Sequence, residues 1–393
     1  MDKIFHSAFL SRGFRPFFFL GTVFAALIIA LWVPWYLGII QIPSALPPIS
    51  WHNHELLFGY VTAIIAGFLL TAVPNWTGRT PASGKLLALL VAIWLLGRLA
   101  ISFSLFLPPL VSSLVALSFL PALIFVVGRD IIAAGNKRNL VVIIVLGALF
   151  LAQIFYHLEF MITGDTQFGF RLALAIILVL VMLIAGRIVP NFTRNWIRRF
   201  NPGPEPMPFG RFDAIAMLVA ILALATWVVL PLLPPLGATI AGLLFLGAGI
   251  IHLARLWRWQ PLRVIGEPML AVLHLAYMFI ALGFIIAGIF PVEDGAITPA
   301  LTVHTWSVGA IALMTLAVMT RVTKGHTGLA QVANTSTLIL FGAMLVAIFA
   351  RLAAALLPQY TSVLLTSSAL GWIISFAGFA LIYGPALFSA RKN

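Results

Sequence analysis

From Ser50 to Pro74 the chain reads Ser50-Trp51-His52-Asn53-His54-Glu55-Leu56-Leu57-Phe58-Gly59-Tyr60-Val61-Thr62-Ala63-Ile64-Ile65-Ala66-Gly67-Phe68-Leu69-Leu70-Thr71-Ala72-Val73-Pro74. No Lys, Arg, Asp or Glu follows Glu55 in this stretch. The run has the ~20 apolar residues that a bilayer-spanning helix needs. It predicts a membrane helix with its ionisable groups crowded at one end. Such groups are costly in a bilayer and mark functional sites.

The same signal recurs along the chain. Twelve apolar stretches are long enough to span, at about 16–38, 50–74, 85–106, 109–130, 139–160, 168–190, 211–231, 236–258, 264–290, 300–320, 334–357 and 361–386. Of the 393 residues, 62% are hydrophobic and 8% charged, against roughly 25% charged in a soluble domain. A water-soluble fold could not hide that much apolar surface. The expected architecture is all-α: one polytopic transmembrane domain over 1–393, with the lipid bilayer as its partner. The gaps are short, and the longest, Asn191 to Arg211, is rich in Pro and Arg and reads as irregular. The net charge of +13 does not argue for nucleic acid, because the basic residues lie in short loops between apolar runs.

Those loops set the orientation. Lys and Arg gather at the N-terminus (Lys3, Arg12, Arg15), after each even-numbered stretch (Arg79 and Lys85; Arg129, Lys137 and Arg138; Arg194 to Arg211; Arg255, Arg258 and Arg263; Arg321 and Lys324), and at Arg391 and Lys392. The intervening loops are nearly free of them, and one carries Glu293 and Asp294. Positive charge stays on the cytoplasmic side, so both termini are expected there. No small-residue cleavage site precedes a polar region near the N-terminus, so no removable signal peptide is expected. The tail Pro74-Asn75-Trp76-Thr77 resembles Pro190-Asn191-Phe192-Thr193, and Ala317-Val318-Met319-Thr320-Arg321-Val322-Thr323 more loosely. A four-helix spacing follows, with units 16–130, 139–258 and 264–386.

The chain has no cysteine, which removes disulfides and thiolate metal sites. Any metal must be held by His, Met or carboxylate. There are eight histidines. Topology and a rise of ~1.5 Å per residue put His52, His54, His157 and His304 in one outer layer and His274 near mid-membrane. His252 lies deeper toward the cytoplasm. His6 and His326 lie on the cytoplasmic side. His304 and His326 are separated by roughly 33 Å if helical and cannot share a metal. His52 and His54 diverge by ~200° on a regular helix, though an irregular turn after Pro47-Pro48 would relax that limit. The metal-ligand candidates are therefore His52, His54, His157, His274 and His304. Imidazole suits copper, iron and zinc alike. Glu55 and Glu159, beside His54 and His157, are candidates for proton delivery. Arg98, Arg171 and Arg351 depart from the positive-inside pattern. They are candidates to bind haem propionates, or to pair with Glu55, Glu159 or Asp165.

The run Trp51 to Gly59, continued by Ala66-Gly67-Phe68-Leu69-Leu70-Thr71-Ala72-Val73-Pro74-Asn75-Trp76-Thr77-Gly78-Arg79, resembles a signature of the NnrS family. His304-Thr305-Trp306-Ser307-Val308-Gly309, Met314 to Arg321 and Gly325-His326-Thr327-Gly328 are similar to a second. Phe14-Arg15-Pro16-Phe17-Phe18 and Gly186 to Thr193 also fit. The resemblance covers essentially the whole chain. It implies a bacterial inner-membrane protein with haem b and copper, linked to nitric oxide metabolism and nitrosative stress, with His54, His274 and His304 as the haem-ligand candidates. A more distant architectural likeness is to the haem-copper oxidase and nitric oxide reductase core. That core places copper ligands on helices 6 and 7, where this chain has no histidine. Three functions stand as expectations: reduction of nitric oxide with electrons from quinol, non-catalytic binding of haem, copper or nitric oxide for protection or sensing, and transport through a twelve-helix carrier.

Overall fold

The computed structural model describes residues 5–233, 235–289 and 297–390. Twelve helices among these are long and apolar enough to cross a membrane: α1 (Phe14–Tyr36), α2 (Pro48–Thr77), α3 (Gly84–Ser102), α4 (Pro109–Ala133), α5 (Lys137–Thr163), α6 (Gln167–Phe200), α7 (Arg211–Leu232), α8 (Leu236–Trp257), α9 (Pro268–Ile289), α10 (Pro299–Thr327), α11 (Thr335–Leu356) and α12 (Pro358–Phe388). No strand occurs among the described residues. The all-α, multi-pass reading therefore holds. Glu293 and Asp294 lie outside the described residues.

Two boundaries move. α6 does not stop at Pro190 but runs on to Phe200, so the expected irregular loop shrinks to 201–210. A proline removes one backbone donor, which a long membrane helix tolerates where neighbours supply polar groups. Beyond it Arg194 and Arg198 reach back to Glu205. α10 likewise continues past Thr320 to Thr327, which places His326 on the same helix as His304, at its opposite end.

α2 and α10 share an interruption. α2 is α-helical over Pro48–His54, π-helical over Glu55–Val61 and α-helical again to Thr77. α10 turns π-helical over Thr305–Ala312, immediately after His304. In both, a glycine inside the π segment (Gly59, Gly309) follows the histidine by five residues. In both, the helix ends at a left-handed glycine, Gly78 or Gly328. π-bulges gather at functional positions. α6, the middle member of the expected repeat, has no such interruption.

The chain forms two compact units. The first comprises the residues up to 173 with 319–330 and those from 376 on; the second comprises 174–318 with 331–375. In the first, α1 and α2 approach through small residues, as membrane helices do: a Cβ at Gly67 would lie 2.7 Å from the Phe18 ring. The buried Arg15 uses Nη1 to donate to the carbonyls of Ala386, Leu387 and Ser389, and so caps α12. In the second unit, α9 packs against α8 and against the π segment of α10, where the Trp306 indole covers Gly283 and donates to the Ile280 carbonyl at 3.1 Å.

Candidate metal centre

The site is assembled in the first unit by α2, α3, α4 and α5. Pro48 begins α2 as a regular α-helix, so the divergence of His52 and His54 is kept. His52 stacks on Trp32 with ring centroids 4.0 Å apart, while His54 points into the bundle and is fully buried. His157 comes in from α5, its Nε2 lying 3.2 Å from His54 Nε2. Behind each ring stands a further group. His54 Nδ1 lies 2.8 Å from Glu55 Oε1, and His157 Nδ1 lies 3.2 Å from Ser113 Oγ on α4. Arg98 of α3 donates from Nη1 to the same Glu55 oxygen at 2.9 Å. Phe58 and Tyr156 wall the pair with their rings.

Two backbone features hold this arrangement. Trp94, one turn before Arg98 on α3, donates from Nε1 to the Gly59 carbonyl in the π segment at 3.0 Å. Gly59 itself leaves room for the guanidinium, because a Cβ there would lie 3.0 Å from Arg98 Nη1. α4 breaks at Ser118, between Leu117 and Phe119. Gln153, one turn before His157, bridges α5 to α4 by donating to the Ala116 carbonyl at 3.1 Å.

The hydrogen-bond polarity follows from the ends. Glu55 accepts, Arg98 can only donate, and so His54 gives its Nδ1–H to Glu55 and carries a lone pair on Nε2. His157 then gives its Nε2–H to His54 and accepts at Nδ1 from the Ser113 hydroxyl. The pair thus shares one N–H between two facing nitrogens. With metal–nitrogen bonds of about 2.0–2.1 Å, two nitrogens 3.2 Å apart reach a common ion. A metal-bound imidazole usually has its other nitrogen held by a carboxylate, carbonyl or hydroxyl partner, and Glu55 and Ser113 stand in those places. Glu55 Oε2 and Arg98 Nε are buried without hydrogen-bond partners, so the centre keeps unspent capacity for a polar guest. Among the described residues no group of three or more His, Asp or Glu side chains is disposed to hold a metal; the donor set here is two imidazoles.

The other candidates lie apart from this pair. Glu159 accepts the amides of Phe168 and Gly169 at 3.0 and 2.9 Å, capping α6. In the second unit, His304 turns Nδ1 to the Ala300 carbonyl at 2.6 Å, which leaves Nε2 as its lone-pair nitrogen. His274 meets Thr193 Oγ1 through Nε2 at 2.9 Å, and its Nδ1 is buried without a partner. His252 belongs to a separate buried chain: Asp213 pairs with Arg255, Arg255 donates to the Tyr277 hydroxyl, and Tyr277 meets His252 Nδ1 at 2.8 Å. The far end of that chain is the Ala216 carbonyl, held by His252 Nε2. Arg255 donates to both Asp213 and Tyr277, and a carbonyl accepts at the far end, so every hydrogen bond in the chain has a fixed direction. Arg171 and Arg351 are half-buried in α6 and α11. On the cytoplasmic side of the predicted topology, His326 accepts from Arg12 at 3.3 Å, and His6 is exposed.

Sequence reasoning missed Ser113, Gln153 and Trp94. Gln153 carried a signal, since it lies four residues before His157 in an otherwise apolar stretch and so shares its face. Ser112-Ser113 is a polar pair within an apolar run and offers a weaker one.

No curated protein matches the chain. A family model described as NnrS protein matches residues 8–391, nearly the whole length. Family membership implies a role in nitric oxide metabolism. This multi-pass membrane protein belongs to the NnrS family.

Proposed function

We propose that this protein is a haem b and copper protein of the bacterial inner membrane that reduces nitric oxide at a histidine-ligated centre toward the outer side. The observation that carries the reading is the convergence of His54 and His157 at 3.2 Å, with Glu55 and Ser113 behind their outer nitrogens. These two histidines would hold copper, which when bound supplies a position for nitric oxide and a one-electron couple. His304 and His274 are the candidates to hold haem. His304 Nδ1 is pinned by a carbonyl, as an axial histidine's commonly is, and His274 has an orphaned buried nitrogen. Arg171 and Arg351 are the candidates for its propionates. His52, stacked on Trp32, would support the layer rather than ligate.

Glu55 is the group placed to deliver protons. Its Oε1 faces His54, and its buried Oε2 is open to a further proton. Glu159 has both oxygens engaged by amides and serves α6. Arg98, paired with Glu55, orients that carboxylate instead of binding haem. Electrons would come from quinol.

The test is an absorption spectrum and metal analysis of purified protein and of the His54→Ala, His157→Ala and His304→Ala variants, with nitric oxide consumption followed under a reductant. Copper lost in the first two variants and haem lost in the third is expected. Full haem and copper with no turnover would sink the enzymatic reading and leave a binding or protective role.

A further inference from the structure

The His54–His157 pair stands in a particular balance of charge. Two neutral imidazoles supply lone pairs and no charge. Beside them lie one carboxylate and one guanidinium, Glu55 and Arg98, 2.9 Å apart and both buried. Their charges cancel. The other described carboxylates of this unit are engaged elsewhere: Asp130 by Arg79 and Arg129, Glu159 by two amides, and Asp165 by the Thr166 amide. Arginine does not lose its proton in proteins, so the pair never presents a net negative charge: it is neutral with Glu55 ionised and positive when Glu55 holds a proton. An ion entering the pair therefore brings its whole charge into a medium of low dielectric. The Born cost grows with the square of the charge, so a divalent ion is penalised about four times as heavily as a monovalent one.

The ligand count points the same way. Structural zinc takes four ligands, while this pair offers two and the described residues add no third. Arg98 is also placed deliberately by its neighbours: glycine at 59 gives the guanidinium its room, and Trp94, one turn away on the same helix, holds the Gly59 carbonyl.

Resting on the reading of this pair as a metal site, we propose that Arg98 is its specificity-determining residue, restricting His54 and His157 to a monovalent, low-coordinate ion, Cu(I), against divalent ions such as Zn(II). Removing the guanidinium leaves Glu55 as an uncancelled negative charge that favours the divalent ion. Removing the carboxylate instead leaves Arg98 uncancelled and disfavours it.

The experiment titrates purified full-length protein in detergent with chelator-buffered Cu(I) under reductant and, separately, with chelator-buffered Zn(II). It compares the wild type with the His54→Ala/His157→Ala double variant, Arg98→Gln, Arg98→Lys and Glu55→Gln. The quantity read is the part of each metal's binding that the two histidines account for. The wild type should bind one Cu(I) there, more tightly than Zn(II). Arg98→Gln should shift the ratio toward Zn(II) by about tenfold or more, and Arg98→Lys should keep it near the wild-type value. Glu55→Gln moves the ratio the other way and carries the test if Arg98→Gln does not fold. If neither metal's binding depends on the histidines, the metal site itself is lost. If both depend on them and neither charge variant moves the ratio, the site stands and the role of Arg98 is overturned.

Discussion

A single proton lies at the middle of the candidate centre. The two facing nitrogens of His54 and His157 share one N–H, fixed in direction by Glu55, and the Ser113 hydroxyl turns to suit it at the other end. A metal taken by both nitrogens displaces that proton to the other nitrogen of the same ring, where His157 then donates from Nδ1 to Ser113; both imidazoles stay neutral, so binding at the pair is expected to release no proton. Calorimetry in two buffers of different ionisation enthalpy measures that number, and a count near one would show a ligand deprotonated on binding, against two neutral imidazoles. Ser113→Ala deprives His157 Nδ1 of its partner. The loss is expected to weaken metal binding by about 10- to 100-fold, read by competition with a chelator. His54 and Glu55 were legible because ionisable residues stand out at the end of an apolar run. Their partner was not, because His54 and His157 are 103 residues apart in sequence and only the packing of α2 on α5 decides which of several outer histidines meet. Arg98 was legible as an intruder in α3, and the choice between haem and Glu55 as its partner needed coordinates.

The helices carry the next level of cause. The π segment of α2 leaves backbone groups for other helices to satisfy, and Trp94 takes the Gly59 carbonyl. Trp94→Phe keeps most of the packing and removes that bond, which is expected to cost about 1–3 kcal/mol in thermal unfolding, with weaker metal binding alongside. Gly59→Ala drives a methyl toward the Phe24 ring, 2.7 Å away, and toward Arg98; overpacking of this kind costs about 1–3 kcal/mol. Helix number and rough extent were readable from hydropathy alone. The π segments were not, because π and α turns bury the same apolar residues and differ only in which carbonyl meets which amide. The extension of α6 through Pro190 was hidden for a related reason: proline marks a missing donor, and the surroundings decide whether the helix ends there.

Across the molecule, charges divide into braces and labels. Asp213 and Arg255 form a buried pair at 3.0 Å that also holds Tyr277. Asp213→Ala is expected to cost about 3–5 kcal/mol, because it strands a buried guanidinium. Glu205→Ala, on an exposed pair with Arg198, should move the unfolding temperature much less. The loop charges act as labels. Reporter fusions at either terminus are expected to read as cytoplasmic, and a terminus found outside would invert the placement of the His54 layer. The all-helical, multi-pass character was readable from composition. The division into two units was not, since it depends on which of twelve similar helices pack together.

The clasp between Arg15 and the last turn of α12 has a consequence for how the protein is made. Arg15 is synthesised 371 to 374 residues before the carbonyls of Ala386, Leu387 and Ser389. Until then a guanidinium destined for burial has no carbonyls to meet, and the unit that contains the histidine pair is unclasped at its Arg15 end. A chain that stops before α12 therefore leaves this unit incomplete and its Arg15 charge unmet. The clasp in this way ties the closing of the histidine-bearing unit to the arrival of α12.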